Sequence, residues 1–152
     1  MYVWRLSKAR FAQAAFSGEG AKLYEGRWNF VGIPMVYTST SLALAAIEVF
    51  VHLDPTDAPD DLVSVRAEIP DDLYREKVDI QTLPSGWRKT DNKDLRQIGS
   101  EWAKSTRSVA LQVPSAVVED EWNVLLNPAH PEFLRIKIAS PRPFRYDERM
   151  FR

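Results

Sequence analysis

With 152 residues, a formal net charge of -1, an isoelectric point near 6.1 and no cysteine, the chain is long enough for one hydrophobic core and holds no disulfide framework or thiolate metal site. Its 45% hydrophobic and 27% charged residues exclude disordered and fibrous classes, and the balanced charge argues against direct nucleic-acid binding, which needs a basic surface. Two separate histidines give no metal site, no window approaches the roughly 18 apolar residues of a membrane span, and no cationic, apolar leader opens the chain, so one cytoplasmic domain over 1–152 is expected.

In chain order, Tyr2 to Leu6 alternates and predicts a strand, and the Ala-rich stretch from Ala9 to Phe16 predicts a weak helical turn ended by Gly18-Glu19-Gly20. Residues 21–34 have no period and read as a loop that displays Tyr24, Arg27, Trp28 and Asn29. Met35 to Thr38 reads as a strand, and Ser39-Thr40-Ser41 supplies caps for a helix from Leu42 that His52-Leu53-Asp54-Pro55 stops. Leu62 to Ile69 alternates as a half-buried strand. Asp71 to Tyr74 suggests a helical turn, and Pro84-Ser85-Gly86-Trp87 a turn that presents a tryptophan. Leu95, Ile98 and Trp102 give a second helix over 92–104 with Asp91 as cap. Strands follow at Val109 to Val113 and at Leu134 to Ile138, with Asn123 to Pro128 between them as a short strand or turn edge, before a proline-rich tail. The irregular order of strands and helices predicts an α+β fold.

The Leu42 helix carries one charge in an unusual setting. Ala45, Ala46, Val49 and Leu53 share one face, Leu44, Ile47 and Val51 the other, and only Ser41, Glu48 and His52 form a polar line, so burial on several sides is expected. A carboxylate there must be paired, protonated or turned to a wet cleft. Glu48 is therefore either half of a structural pair with an arginine or the carboxylate of a pocket. Phosphate-binding glycine loops, HExxH and GxSxG patterns do not occur. What remains is Arg27 after a glycine, Tyr37 in a strand, Glu48, and Ser115 at a strand end, each with a structural reading of its own.

Taken together, Gly26-Arg27-Trp28-Asn29, Val36-Tyr37-Thr38-Ser39, Leu44 to His52, Val113 to Val118, Glu121-Trp122-Asn123 and Asn127 to Phe133 make the chain resemble the RES-domain family, the toxin half of bacterial toxin–antitoxin pairs. Glu25 before Gly26, and Phe30-Val31 after Asn29, depart from the family's usual Gly-Gly and prolines. The resemblance implies an ADP-ribosyltransferase-like mixed β-sheet core with flanking helices and an activity on NAD as substrate. The nicotinamide–ribose bond would be cleaved and ADP-ribose passed to phosphate, water or a protein. It assigns Glu48, Arg27, Tyr37 and Ser115 to catalysis, and Arg27, Trp28, Tyr37, Ser115 and Asn123 to NAD binding. It also implies a cognate Xre-like, DNA-binding antitoxin that blocks the site.

The residue chemistry is compatible with this. Nicotinamide leaves as a neutral ring, positive charge grows on the ribose, and a fixed carboxylate stabilises that cation. An arginine fork suits a diphosphate, Tyr37 offers a flat face and a hydroxyl, and Ser115 a hydrogen bond to Glu48 or ribose. Two other classes share these residues: an N-glycosidase on another nucleoside-like compound, and a non-catalytic protein-binding module anchored by Trp28, Trp87 and Trp102.

Overall fold

Alternating side chains fix which face of each strand is buried, and here they build one sheet covered on both faces. The computed structural model describes residues 1–89 and 91–152. Its strands are β1 (Tyr2–Lys8), β2 (Val36–Ser39), β3 (Leu62–Glu68), β4 (Arg75–Lys77), β5 (Ala110–Pro114), β6 (Trp122–Leu126), β7 (Lys137–Ile138) and β8 (Arg142–Phe144). They lie in the order β4-β5-β6-β2-β1-β3-β7, with β8 also against β3. The β4–β5 pair is parallel and the others are antiparallel, so the fold is the expected α+β with a mixed sheet. The helices are α1 (Glu19–Leu23), α2 (Leu42–Phe50) and α3 (Lys93–Ser105).

Val3, Val36, Val65, Ala67, Ala110, Val124 and Leu126 bury one face under Ala15, Phe16, Leu73 and Ile136. Their neighbours in sequence point the other way. Leu111, Val113 and Leu125 pack with Trp28, Met35, Trp87, Leu95 and Trp102, which seats α3 and the Trp28 loop on the sheet. Leu6 packs with Ala45, Leu62, Tyr146 and Phe151, which seats α2 and the C-terminal tail. The register sets Trp4 opposite Ser39, Ser39 opposite Asn123, and Asn123 opposite Val113. Directly opposed residues share a face, so Ser39 and Asn123 form a polar pair between two apolar clusters. That gap is where α2 delivers Glu48.

Several elements differ from the sequence reading. Gly18, at φ +78, opens α1 instead of closing the preceding 3-10 turn (Ala9–Ala14), because its left-handed backbone turns the chain where a Cβ would lie 2.9 Å from the Met35 nitrogen. Part of the expected 21–34 loop is therefore helical. Asn92, not Asp91, caps α3: its side chain accepts from the Asp94 and Leu95 amides while Asp91 is at φ 62. Asp71 to Tyr74 forms turns, and β4 follows in a stretch too short and too charged to show a period. The alternation from Leu134 to Ile138 makes only the two-residue β7; Leu134 is 92% exposed in a 3-10 turn (Phe133–Arg135). Trp28, Trp87 and Trp102 are buried in the core and offer no interface anchor. In α2 Leu44 and Ala45, from the two faces, are fully buried and only Ala43 is exposed, so this apolar helix is at least partly covered around most of its circumference, as expected.

Helix α3 docks closely on the Trp28 loop. A Cβ on Gly99 would lie 1.9 Å from the Trp28 carbonyl oxygen, and Ser100 Oγ accepts from the Phe30 amide at 3.0 Å. Gly99→Ala gains about 1 kcal/mol of helix propensity, but the backbone oxygen it strikes cannot swing aside. We expect a net loss of roughly 2 kcal/mol or more in denaturant unfolding, and an unchanged midpoint would show that the docking tolerates a shift of α3.

Candidate active site

Glu48 is half-buried in the second turn of α2, whose start is fixed by Ser41 Oγ accepting from the Leu44 amide at 3.0 Å. Its Oε1 receives two hydrogen bonds, from Ser115 Oγ at 2.6 Å and from Asn123 Nδ2 at 2.7 Å. Ser115 is itself fixed: its Oγ accepts from the Val117 and Val118 amides, at 3.1 and 3.0 Å, just past the end of β5. Asn123 is fixed from the other side by Ser39, whose Oγ donates to Oδ1 at 2.6 Å. An amide whose oxygen accepts from Ser39 must turn its NH2 toward Glu48, so the serine sets the orientation of the donor. Both donors act on the same carboxylate oxygen. Among the described residues Oε2 has no protein partner, and no ion pair joins Glu48 to an arginine, so the structural-pair reading of Glu48 is not what the geometry shows.

Arg27 and Tyr37 meet at the tight Gly26–Asn29 turn. Asn29 is fully buried and acts as its hub: Nδ2 donates to the carbonyls of Ala21, Tyr24 and Phe30, and Oδ1 accepts from the Gly26 amide and the Tyr37 hydroxyl. The Tyr37 hydroxyl also accepts from the Trp28 amide at 3.0 Å. A Cβ on residue 26 would lie 2.5 Å from that hydroxyl oxygen, which is why glycine stands there. Arg27 projects from this turn and spends Nη1 on the carbonyls of Trp87, Arg88 and Lys89, at 3.1, 3.3 and 3.0 Å. Burial lowers the pKa of Arg27, and the field of Glu48 opposes that, followed by Tyr37.

A cavity of about 300 Å3, at the lower end of small-molecule sites, lies against the same turn. Its walls include Arg5, Tyr24, Gly26, Asn29 and Tyr37, but not Glu48, Ser115 or Asn123. Arg5 extends from β1, donates Nη1 to the Tyr37 carbonyl at 3.0 Å, and leaves its buried Nε without a protein partner among the described residues.

A family model for the RES domain matches residues 2–147. The chain belongs to the RES family. It is 41% identical to "Toxin Res" of Photorhabdus laumondii, covering 88% of this chain and 85% of that protein. It is also 41% identical to the "Prs ADP-ribosylating toxin" of a Sphingobium species, covering 98% and 96%. Among solved structures it resembles a chain of the M. tuberculosis MbcT-MbcA toxin-antitoxin complex, with a TM-score of 0.74 at 17% identity over 99% of this chain and 86% of that one.

For this RES-family chain, the structure brings Glu48, Ser115 and Asn123 into direct contact and sets Arg27 and Tyr37 at the neighbouring turn. One sequence assignment needs correction. Trp28 is 2% exposed, packed inside the second cluster, and its ring has no face to give to NAD; the backbone of residue 28 is what matters, as the donor to Tyr37. Asn123 has its amide engaged by both Glu48 and Ser39, so it also positions the carboxylate. The sequence reading missed Ser39, Asn29 and Arg5. Ser39 looked like one of three helix caps, and only the β2–β6 register reveals its partner.

The Tyr37 phenol titrates well above its ordinary range, because burial penalises the phenolate more than the Trp28 hydrogen bond and the nearby arginines favour it. An acid whose folded pKa is raised contributes stability that is intact below the unfolded value, about 10, and lost as pH climbs beyond it. Unfolding midpoints measured from pH 8 to 11 are expected to fall above pH 10, and Tyr37→Phe to show a shallower fall; equal slopes would place the alkaline sensitivity elsewhere.

Proposed function

We propose that this RES-family protein is the toxin of a toxin–antitoxin pair and cleaves the nicotinamide–ribose bond of NAD. The observation that carries the reading is the one-sided hold on Glu48: Ser115 and Asn123 occupy Oε1 and leave Oε2 for substrate. As nicotinamide departs, the ribose takes on positive charge, and a carboxylate already oriented by two hydrogen bonds stabilises that charge without reorganising. Oε2 is also an acceptor for a ribose hydroxyl. Arg27, at the turn beside it, keeps Nε and Nη2 for phosphate oxygens, and Tyr37 and Arg5 border a cavity of about 300 Å3 in which part of a dinucleotide fits. The name of the Sphingobium relative, an ADP-ribosylating toxin, supports the same bond being broken.

The acceptor of ADP-ribose is then phosphate, water or a protein. We favour NAD breakdown with phosphate or water, because the sequence holds no stretch of distinctive composition that marks a docking surface for a protein substrate.

Glu48→Gln tests the reading. The glutamine oxygen can replace Oε1 toward both donors, so the fold is retained while the negative charge is lost. We expect NAD consumption to fall by about a hundredfold or more, with a melting temperature close to wild type. A destabilised variant with near-normal turnover per folded molecule would make Glu48 structural.

A toxin that consumes a central cofactor must be held inactive in its own cell, and the structural neighbour was solved as a toxin–antitoxin complex. We therefore assign this chain a proteinaceous antitoxin that covers the site, with the loop around residues 21–34 in contact; Leu23, Tyr24 and Val31 are exposed apolar residues there. Co-expression with the adjacent open reading frame is expected to yield a stable complex that lacks NAD-consuming activity. Recovery of free, harmless protein alone would remove the pairing.

A further inference from the structure

The turn over residues 84–89 entered the sequence reading only as a bend that displays a tryptophan. In the fold it does something different. Gly86, at φ +75, reverses the chain, Trp87 drives its ring into the core at 8% exposure, and the amides of Trp87 and Lys89 bond to the Pro84 and Gly86 carbonyls. Arg27 Nη1 then ties down three successive carbonyls, those of Trp87, Arg88 and Lys89. The exposed side chain that this anchored turn carries is Arg88.

Arg88 stacks its guanidinium over the Trp87 ring, 4.5 Å from the centroid, and reaches Nη1 to the Ser115 carbonyl at 3.5 Å. Ser115 is the residue whose hydroxyl bonds Glu48, so Arg88 is one residue removed from the central carboxylate. It faces the backbone there rather than an acid: among the described residues no carboxylate lies within ion-pair distance of Arg88. A stacked guanidinium is preoriented, so less side-chain entropy is lost when it binds. One long hydrogen bond to a carbonyl leaves most of its donors unused. Arg27, the other cation at this spot, has already given one terminal nitrogen to the turn.

We propose that Arg88 binds a phosphoryl oxyanion at the Ser115 end of the site, and that Arg27 acts partly by holding the turn that carries it. The inference rests on the NAD-cleaving reading for the origin of that oxyanion, which is either the diphosphate of NAD or the inorganic phosphate that accepts ADP-ribose. Both offer the planar, forked contact that a guanidinium makes and an ammonium does not.

The test separates the two sources. NAD is titrated calorimetrically into Glu48→Gln protein with and without Arg88→Ala, and the rate of NAD loss is followed against inorganic phosphate for wild type, Arg88→Ala and Arg88→Lys. If the diphosphate is the ligand, Arg88→Ala weakens NAD binding about tenfold or more, and Lys restores it only in part. If acceptor phosphate is the ligand, NAD binding holds and the half-saturating phosphate concentration rises by a similar factor. Unchanged NAD binding together with an unchanged phosphate dependence overturns the proposal. Because Arg88 is exposed, the melting temperature is expected to stay at the wild-type value, and a marked drop accompanied by proportional loss of all activity would reduce Arg88 to a support of the turn. Wild-type protein that consumes no NAD would sink the reaction assigned above. The Arg88 assignment would then be decided by the NAD titration and by a direct titration of inorganic phosphate, where loss of binding in Arg88→Ala supports it and equal binding overturns it.

Discussion

The arrangement depends on a single carboxylate oxygen being held from two sides. Hydrogen bonds to an ionised acceptor contribute roughly 1.5–3 kcal/mol each, so Ser115 and Asn123 together offset much of the cost of bringing Glu48 off the surface. They do so without neutralising it, as an arginine in direct contact would. Among the described residues one carboxylate oxygen thus stays without a protein partner, which a salt bridge would have taken up.

Each donor needs support of its own, and the support reaches through most of the fold. Ser115 depends on the turn after β5, where two backbone amides fix its hydroxyl. Asn123 depends on Ser39, hence on the β2–β6 register, hence on the apolar residues of those strands that bury the opposite face. A slip of one residue in β2 would turn Ser39 to the wrong face and release the amide. Helix α2 is held over the sheet by Leu44 and Ala45 and by the aromatic tail, in which Tyr146 donates to the Ala46 carbonyl and packs edge-on against Phe144 and Phe151. The C-terminal residues thereby take part in placing Glu48 although Tyr146 and Ala46 are 100 positions apart in sequence.

The Gly26–Asn29 turn is built on a different principle, saturation of buried polar groups. Among the described residues the Asn29 side chain makes five hydrogen bonds, to three carbonyls, one amide and one hydroxyl, so a backbone that crosses the core without regular structure has its polar atoms paired. That turn sets Arg27 on one side and packs Trp28 on the other, and α3 closes against it at Gly99. Rigid placement of Arg27 follows from packing beneath it rather than from contacts of the arginine alone.

Much of this was legible in the chain itself. Period-two alternation located β1, β3 and β5, the Ser41 cap and the 3.6-residue pattern located α2, and the solitary Glu48 on an apolar helix marked a candidate site, because burial physics leaves few reasons for a charge there. The motif order pointed to the RES family and, through it, to Arg27, Tyr37 and Ser115. What the sequence could not show was direction. Trp28 and Asn123 carry residue types that suit ligand contact, yet one ring is buried in the cluster with Leu95, Trp87 and Trp102, and the other side chain also bonds Glu48 and Ser39. The β2–β6 pairing that joins Ser39 to Asn123 spans 84 positions, and the Arg27 contacts with the 87–89 turn span 60 to 62. Local pattern determines which segments form helix or strand and which residue types suit the chemistry. Only the packed sheet decides which distant polar groups meet, because those meetings follow from strand register and close packing, to which no short stretch of sequence holds the key.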